Sequence, residues 1–167
     1  MAKVVKKPGN YLYPLPPCLI TCGPVEHPNI ITLTWAGSLC SEPPIMGVSI
    51  RPSRHSHPLV KQSGEFAINL PTAEMLRAVD WCGNFSGRDH DKFAEKKLTA
   101  APGLQVKAPI IGESLIAYEC RTVMTNEVIP DRLDLAIRNS AYASGDFHRV
   151  YFGNILCVRV ERELAKI

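Results

Sequence analysis

Residues 29–56, NIITLTWAGSLCSEPPIMGVSIRPSRHS, predict two β-strands that lead into a polar, basic turn. The first strand, at 30–35, is rich in β-branched and aromatic residues, which favour β-structure. Thr32 and Thr34 fall on one face of it, because side chains alternate along a strand. If this polar stripe is buried, it needs hydrogen-bond partners. Residues 44–50 predict the second strand.

The turn after residue 50 is dense in basic and hydroxyl side chains: Arg51, Ser53, Arg54, His55 and Ser56. Just after it, residues 58–62 predict a short helix with Ser56 as its N-cap and Pro58 near its start. A helix N-terminus presents free backbone N–H groups, and beside arginines and hydroxyls it suits a phosphate. The alternative is an ordinary solvated surface, and the turn alone leaves both interpretations open.

The composition indicates a globular protein. The chain has 167 residues, enough for one domain with a core, and 46% are hydrophobic against 21% charged. Its apolar runs are too short to span a bilayer, and no apolar stretch of signal-peptide length follows the basic N-terminus, so we expect a cytoplasmic protein without membrane association. A net charge of +3 without basic blocks argues against nucleic acid as a partner.

Six cysteines raise the alternative of a thiol or metal protein: Cys18, Cys22, Cys40, Cys82, Cys120 and Cys157. None forms a Cys-x-x-Cys pair, and Cys18 and Cys22 would share one face of a strand. In apolar, strand-like surroundings a free cysteine behaves as a small hydrophobe. We therefore expect structural thiols without disulfides or metal, and a cluster of Cys18, Cys22 and a third cysteine is the alternative.

The rest of the chain predicts further strands separated by short helices. Strands are expected at 18–22, 65–70, 104–106, 115–125 and 150–163, with Gly153 as a bulge position. Besides the helix that ends near Gly64, helices are expected at 72–84 and 89–97. Thr72 would cap the first of these two, and its buried face would comprise Met75, Leu76, Val79 and Cys82.

Two segments are harder to assign. Residues 36–43 predict a loop, and residues 130–144 fit either a strand or a helix. Because strands and helices do not alternate as in a doubly wound fold, we predict a mostly antiparallel, mainly β barrel with peripheral helices. Residues 1–167 would form one domain, and its Pro- and Lys-rich residues 1–17 would form an extended arm.

Several segments resemble the flavin reductase-like (flavoredoxin-type) family: residues 29–35, 42–53, 63–71 and 82–93, and more weakly 108–114 and 145–154. In particular, CGNFSGRDHDKF at 82–93 is similar to the family's Ser-Gly-x-x-x-Asp-Lys-Phe signature. The resemblance covers about residues 10–160 in the expected order. It implies a split β-barrel that binds FMN, commonly as a homodimer with the cofactor near the subunit interface.

The resemblance also implies binding residues. The strand that borders the flavin ring corresponds to Asn29, Thr32, Leu33, Thr34 and Trp35. The phosphate-binding turn corresponds to Arg51, Ser53, His55 and Ser56, and the loop that closes on the cofactor corresponds to Ser86, Gly87, Lys92 and Phe93. His148 lies near the histidine of the family's Gly-Asp-His motif, although Phe147 intervenes, and it is the one candidate for a catalytic residue.

The activity implied is that of an NAD(P)H-dependent flavin reductase, which passes electrons through FMN to an acceptor. The donor would be NADH or NADPH, and the acceptor would be free flavin or a redox partner protein. Backbone N–H groups of residues 32–35, together with Lys92, would stabilise negative charge on the flavin ring. The alternative is an FMN electron carrier of the flavoredoxin type, reduced by a partner protein.

Overall fold

The dominant feature of the computed structural model, which describes residues 17–162 and Leu164, is a curled antiparallel sheet. The strands are β1 (Cys18–Cys22), β2 (Asn29–Leu33), β3 (Ala36–Ser41), β4 (Pro44–Ile50), β5 (Glu65–Leu70), β6 (Ala100–Ala101), β7 (Ile110–Ile111), β8 (Ile116–Glu127) and β9 (Arg149–Val160). Seven of them form the sheet in the order β2-β1-β5-β8-β9-β4-β3, while β6 and β7 pair separately.

The connection between β2 and β3 explains why the sheet curls. These strands lie at opposite edges of the sheet, yet only Thr34 and Trp35 separate them in the chain. Leu33 and Ala36 are three positions apart and so at most about 10 Å from each other, which means that the two edges must approach each other here. The result is a half-barrel of the split-barrel kind. The predicted mainly β, mostly antiparallel split barrel with peripheral helices is therefore confirmed.

Short helices lie around the sheet: α1 (Ser56–Ser63), α2 (Leu76–Asn84), α3 (Lys92–Lys96) and α4 (Leu135–Ala141), with 3-10 turns at Ala73–Met75 and Pro130–Arg132. Helices α2 and α3 pack on β2. As predicted, α1 ends at Gly64, whose left-handed backbone (φ +66°) suits glycine. No helix in the described ranges is long and apolar enough to cross a membrane.

The core lies on both faces of β1. Cys18, Ile20 and Cys22 point into the half-barrel, where Phe66 and Ile68 of β5 join them. The opposite face of the sheet packs against α2 and α3 in a second cluster: Leu19, Ile30, Met75, Val79, Cys82, Phe93 and Ile111. Strand β1 is thus buried along its whole length, which explains its short, apolar sequence.

Irregularities in the β8–β9 pair differ from the bulge expected at Gly153. The register shifts at Val123 in β8, opposite Gly153, and again between Glu119 and Cys120. Gly153 itself pairs normally with Thr122. A β-carbon at position 153 would lie 2.5 Å from Cζ of Phe66 and 2.9 Å from Cβ of Cys120. Glycine is therefore required there for packing, while the extra residue belongs to the partner strand.

Three further expectations about elements need correction. Residues 36–41 form β3 rather than a loop, because pairing with β4 overrides the low β-propensity of this Gly- and Ser-rich edge strand. Residues 104–106 form no strand, since the N–H groups of Leu104 and Gln105 donate to the Glu119 carboxylate instead of to a neighbouring strand. The ambiguous segment 130–144 contains α4, capped by Asp134.

Details of the helix starts also differ. Helix α1 begins at Ser56, so Ser56 is its first residue rather than its N-cap. Thr72 makes no capping hydrogen bond, and Leu76 is exposed, whereas Met75, Val79 and Cys82 are buried as predicted. The predicted arm, 1–17, lies outside the described residues except for Pro17.

Candidate functional site

A cavity of about 390 Å³ opens between the end of β2, the turn after β4 and the loop after α2. This volume lies in the range of small-molecule and cofactor sites. The structure brings together at this cavity most of the residues predicted from the sequence: Asn29, Thr32, Leu33, Trp35, Arg51, Ser53, His55, Ser56, Ser86, Gly87, Lys92 and His148.

Two predicted residues do not line the cavity. Phe93 is 6% exposed and belongs to the core cluster between the sheet and its helices, so it does not close on the cavity as the resemblance implied. Thr34 lies just after the end of β2, where it is half-buried and outside the cavity lining. Thr32, which does line the cavity, donates its hydroxyl to the Val79 carbonyl (2.6 Å), and this contact satisfies the Thr32 part of the predicted polar stripe.

The cavity is strongly cationic. Four cations line it, Arg51, Arg54, Arg88 and Lys92, and none of the described lining residues is acidic. Arg88 donates to the Ser53 carbonyl (3.0 Å), which links the loop after α2 to the turn after β4. Burial lowers the pKa of His55, and the charges of Arg88 and Lys92 lower it further. The arrangement favours an anionic ligand.

Asp146 modifies the turn after β4. Its carboxylate accepts hydrogen bonds from the Ser53 N–H (2.8 Å) and hydroxyl (2.7 Å), and it lies 3.8 Å from the Arg51 guanidinium. Burial would raise the Asp146 pKa, but these two bonds and the charges of Arg51 and Arg54 hold it below its usual value. Both donors of Ser53 are thus occupied by a side chain, contrary to the expected direct role in phosphate binding.

Asn29 and Gly87 fix the opposite wall. The Asn29 amide donates to the buried Ser56 hydroxyl (2.7 Å), so β2 is tied to the first residue of α1. A β-carbon at Gly87 would lie 1.9 Å from Oδ1 of Asn29 and 3.0 Å from Cδ2 of His55. Only glycine allows the loop after α2 to approach this closely. These contacts explain three of the residue types that the sequence pattern singled out.

Lys92 forms the floor of the cavity. Its buried ammonium donates to the carbonyls of Ile30 (2.8 Å) and Cys82 (2.7 Å), which join β2 to α2. Burial lowers the Lys92 pKa, although the Cys82 and Cys22 side chains act in the opposite direction. An ammonium has three donors, so one remains for a ligand.

A second cavity of about 480 Å³ adjoins the first. Trp35, Ser49 and His148 line both. The second is completed by the end of β8 (Asn126, Glu127), the segment after it (Val128, Tyr142) and Val150 of β9. The Tyr142 hydroxyl lies 2.8 Å from Nδ1 of His148. Trp35 is 54% exposed, so its ring is available to a ligand in either cavity.

Sequence reasoning did not assign four residues of this region. Arg54 was part of the basic turn, and Arg88 directly follows the Ser86-Gly87 pair, so both had a local signal. Tyr142 and Asp146 had none, because they approach Arg51 and Ser53 from about 90 positions away in the chain. Only the folded chain shows that the segment after β8 reaches this site.

The cysteines show no sign of a metal or redox set. All six are free thiols, and four of them are buried: Cys18, Cys22, Cys82 and Cys120. Burial raises the pKa of Cys18 and Cys22 to about 11 and that of Cys120 to about 12, so these thiols stay protonated at neutral pH. Within the described part of the chain, no three His, Cys, Asp or Glu side chains lie close enough to hold a metal ion.

Residues 10–166 match the family model described as flavin reductase like domain. The chain belongs to this family. Among curated relatives, an uncharacterized protein of Archaeoglobus fulgidus is 42% identical over 114 residues, which cover 68% of this chain and 64% of that protein. An uncharacterized protein of Pyrococcus abyssi is 34% identical over 116 residues, 70% of this chain and 66% of its own length. The chain thus spans slightly less than two thirds of these relatives.

Solved structures of similar fold extend the comparison within the flavin reductase-like family. Flavoredoxin of Desulfovibrio vulgaris is 29% identical and has a TM-score of 0.78, covering 98% of this chain and 78% of its own. An FMN-binding protein from Thermus thermophilus, with bound 1-cyclohex-2-enone, is 24% identical with a TM-score of 0.75, covering 98% and 82%. At 24% identity, the similarity to the Thermus thermophilus protein shows only that the two proteins share a fold.

Proposed function

We propose that this flavin reductase-like protein is an FMN-dependent oxidoreductase that accepts hydride from NADH or NADPH and passes the electrons to an acceptor. The observation that supports it best is the cationic cavity beside β2, with Arg51, Arg54, Arg88 and Lys92 in its wall and no acidic lining residue in the described chain. The family match and the FMN-binding protein of similar fold agree with a flavin cofactor.

The residues present fit FMN. The phosphate would lie at the cationic end, against Arg51, Arg54, Arg88, His55 and Ser56, where charge-assisted hydrogen bonds are strongest. Gly87 leaves room for the close loop approach that such a site needs. The flavin ring would border the end of β2 and Trp35. Ser53 is expected to act indirectly, through its bonds to Asp146.

Bound FMN supplies the hydride and electron-transfer chemistry. The protein's own contribution is electrostatic: the free donor of Lys92 and backbone N–H groups near the end of β2 favour negative charge at the ring. Hydride transfer needs no protein base, so we assign none. His148 lies between the two cavities and stays a candidate for contact with the electron donor or acceptor.

The deciding experiment is anaerobic mixing of the purified, FMN-loaded protein with NADH or NADPH. Loss of the flavin absorbance within seconds is expected for a reductase. If neither nicotinamide reduces the flavin, the reductase proposal is wrong, and if the protein takes up no FMN, the cofactor assignment also fails.

The phosphate assignment is tested by comparing FMN with riboflavin, which lacks the phosphate. Arg51→Ala should weaken FMN binding by ~1–3 kcal/mol and leave riboflavin affinity unchanged, as measured by fluorescence titration. Arg77→Ala, at an exposed arginine of α2 outside the cavity lining, is the matched control. Lys92→Ala should weaken FMN binding on the same scale, but it also removes the floor of the cavity. Equal losses for FMN and riboflavin in Arg51→Ala would contradict the assignment.

An FMN electron carrier is the second candidate. The similarity to Desulfovibrio vulgaris flavoredoxin favours it. The sequence identity to flavoredoxin is 29%, against 24% to the Thermus thermophilus FMN-binding protein. A carrier would bind FMN but would not be reduced by nicotinamides. It would instead be reduced by a partner protein, so the same anaerobic experiment separates the two functions.

We also propose a homodimer. Apolar side chains of β3, β8 and β9 are exposed in the single chain: Leu39, Val123, Met124, Val158 and Val160. Burying such side chains against a second copy would remove apolar surface from water. Light scattering after size-exclusion chromatography should give twice the mass of the 18.4 kDa chain, and a monomer at micromolar concentration would contradict this.

A further inference from the structure

Tyr142, at the end of α4, contacts groups on both sides of the site. Its hydroxyl lies 2.8 Å from Nδ1 of His148. The Arg51 guanidinium lies 5.0 Å from the centre of its ring, within the range of a cation–π contact. The ring also stacks on Phe147, with 4.9 Å between centroids. One side chain therefore contacts both a cation of the first cavity and a histidine that lines the two cavities.

The hydroxyl contact selects a tautomer. A phenol, with a pKa of about 10, is a better proton donor than a neutral imidazole N–H, so the Tyr142 hydroxyl donates to Nδ1 of His148. The proton of the neutral ring is then held on Nε2. Nε2 has no hydrogen-bond partner among the described residues, which leaves it free to donate to a ligand.

The ring contact orients Arg51. Besides the Tyr142 ring, Arg51 contacts the Ala141 carbonyl (3.5 Å) and the Asp146 carboxylate (3.8 Å). All three groups belong to residues 141–146, the last residue of α4 and the segment that follows it. The guanidinium direction is therefore set by this segment rather than by the turn that carries Arg51.

We infer that Tyr142 is a positioning residue, which fixes the proton-bearing nitrogen of His148 with its hydroxyl and the orientation of Arg51 with its ring. The first half of this inference, the effect on His148, concerns the protein alone. The second half, the effect on Arg51, rests on the proposed FMN function.

Several charged groups also act on His148. Burial and the charges of Arg51 and Arg54 lower its pKa, and Asp146 raises it. Glu127 and Arg149 lie beside it but pair with each other. A hydroxyl that donates to Nδ1 stabilises the neutral ring and lowers the pKa further, so removing the hydroxyl should raise the pKa.

The test begins with Tyr142→Phe, which removes the hydroxyl and keeps the ring. In ¹⁵N NMR spectra of the flavin-free protein, with His148 signals identified by their loss in His148→Gln, we expect the single Nε2–H tautomer to become a mixture. The His148 pKa should rise by about 0.5 to 1 pH unit, the effect of one ordinary hydrogen bond. Tyr118→Phe, at a tyrosine of β8 that lines neither cavity, should change neither quantity.

The second variant, Tyr142→Leu, removes the ring as well. We expect the affinity for FMN to fall about 5- to 10-fold, on the scale of a cation–π contact, while the affinity for riboflavin and for FMN in Tyr142→Phe stays near wild type. Tyr142→Met replaces the leucine variant if that variant does not fold.

An unchanged tautomer and pKa in Tyr142→Phe would overturn the first half of the inference. Equal losses for FMN and riboflavin in Tyr142→Leu would overturn the second half. If the wild type binds no FMN, the proposed function fails, but the NMR result still decides the role of the hydroxyl.

Discussion

Residues 98–113, which precede strand β8, and residues 126–148, which comprise its last two residues and the segment after it, are held in different ways. In the first segment, three carboxylates bind backbone N–H groups: Glu119 binds those of Leu104 and Gln105, Glu65 that of Lys107, and Glu113 that of Thr99. In the second, α4 buries none of its residues, and the contacts with the rest of the protein gather around the cavity at Arg51 and Ser53.

The difference indicates how each segment contributes to folding. Glu119 is fully buried in the sheet, so the segment it binds should unfold only when the sheet does. The segment 126–148 has few buried apolar contacts, so it should open locally at small cost. Stability and adaptability of the site would then reside in separate parts of the chain.

The largest effect is expected at Glu119. Glu119→Ala removes a fully buried carboxylate and leaves the part-buried N–H groups of Leu104 and Gln105 without their acceptor, at about 1–3 kcal/mol each, and should lower the free energy of unfolding by about 3 kcal/mol. Urea denaturation measures this loss. Glu113→Ala is the matched control, because its carboxylate makes similar bonds at an exposed position, where about 1 kcal/mol is expected. Equal losses would remove the distinction between buried and exposed anchors.

A smaller effect is expected at Asp134, which caps α4 by accepting from the N–H groups of Ala136 (2.9 Å) and Ile137 (3.1 Å). Asp134→Ala should cost the helix about 1 kcal/mol. Hydrogen exchange within α4 should accelerate, whereas the urea midpoint of the whole protein should hardly change. A large drop in the urea midpoint would show that residues 126–148 unfold together with the sheet.

The smallest effect concerns pH and Asp146. Because its pKa is lower in the folded protein, its contribution to stability is fully present above the ordinary aspartate pKa of about 3.9 and is lost as pH falls through the lower folded value. The difference in unfolding free energy between wild type and Asp146→Asn should therefore stay constant from pH 7 to about 4 and shrink below it. A difference that already declines between pH 7 and 5 would contradict the Asp146–Ser53 contact.

Much of the sheet follows from local sequence, because apolar residues alternate in β5, while β1 and β4 are short, mostly apolar runs of strand length. Strand β3 could not be predicted, since Gly37 and Ser38 have low β-propensity and are ordered by pairing with β4. The prediction of a strand at 104–106 was wrong because a side chain replaces strand pairing there. The buried Glu119 carboxylate of β8 accepts the hydrogen bonds that a neighbouring strand would have accepted.

The sequence motifs predicted which segments meet at the candidate site more accurately than they predicted the role of each residue there. The segments around Asn29, Ser56 and Gly87 meet as the resemblance implied, because each is packed against the next. The expected role of Phe93 failed, since the residue beside a cavity-lining lysine on a helix points to the core. The hydrogen bonds from Ser53 to Asp146 could not be predicted from the sequence, because the two residues are 93 positions apart and meet only in the folded chain.

Lys92 has a consequence for how this protein could acquire a new ligand. The same ammonium that lines the cavity also joins the carbonyls of Ile30 and Cys82. A substitution there would change ligand preference and weaken the fold at once, so natural or laboratory selection should rarely alter it. The route to new specificity instead runs through the surface segment around Tyr142, where changes cost the sheet little.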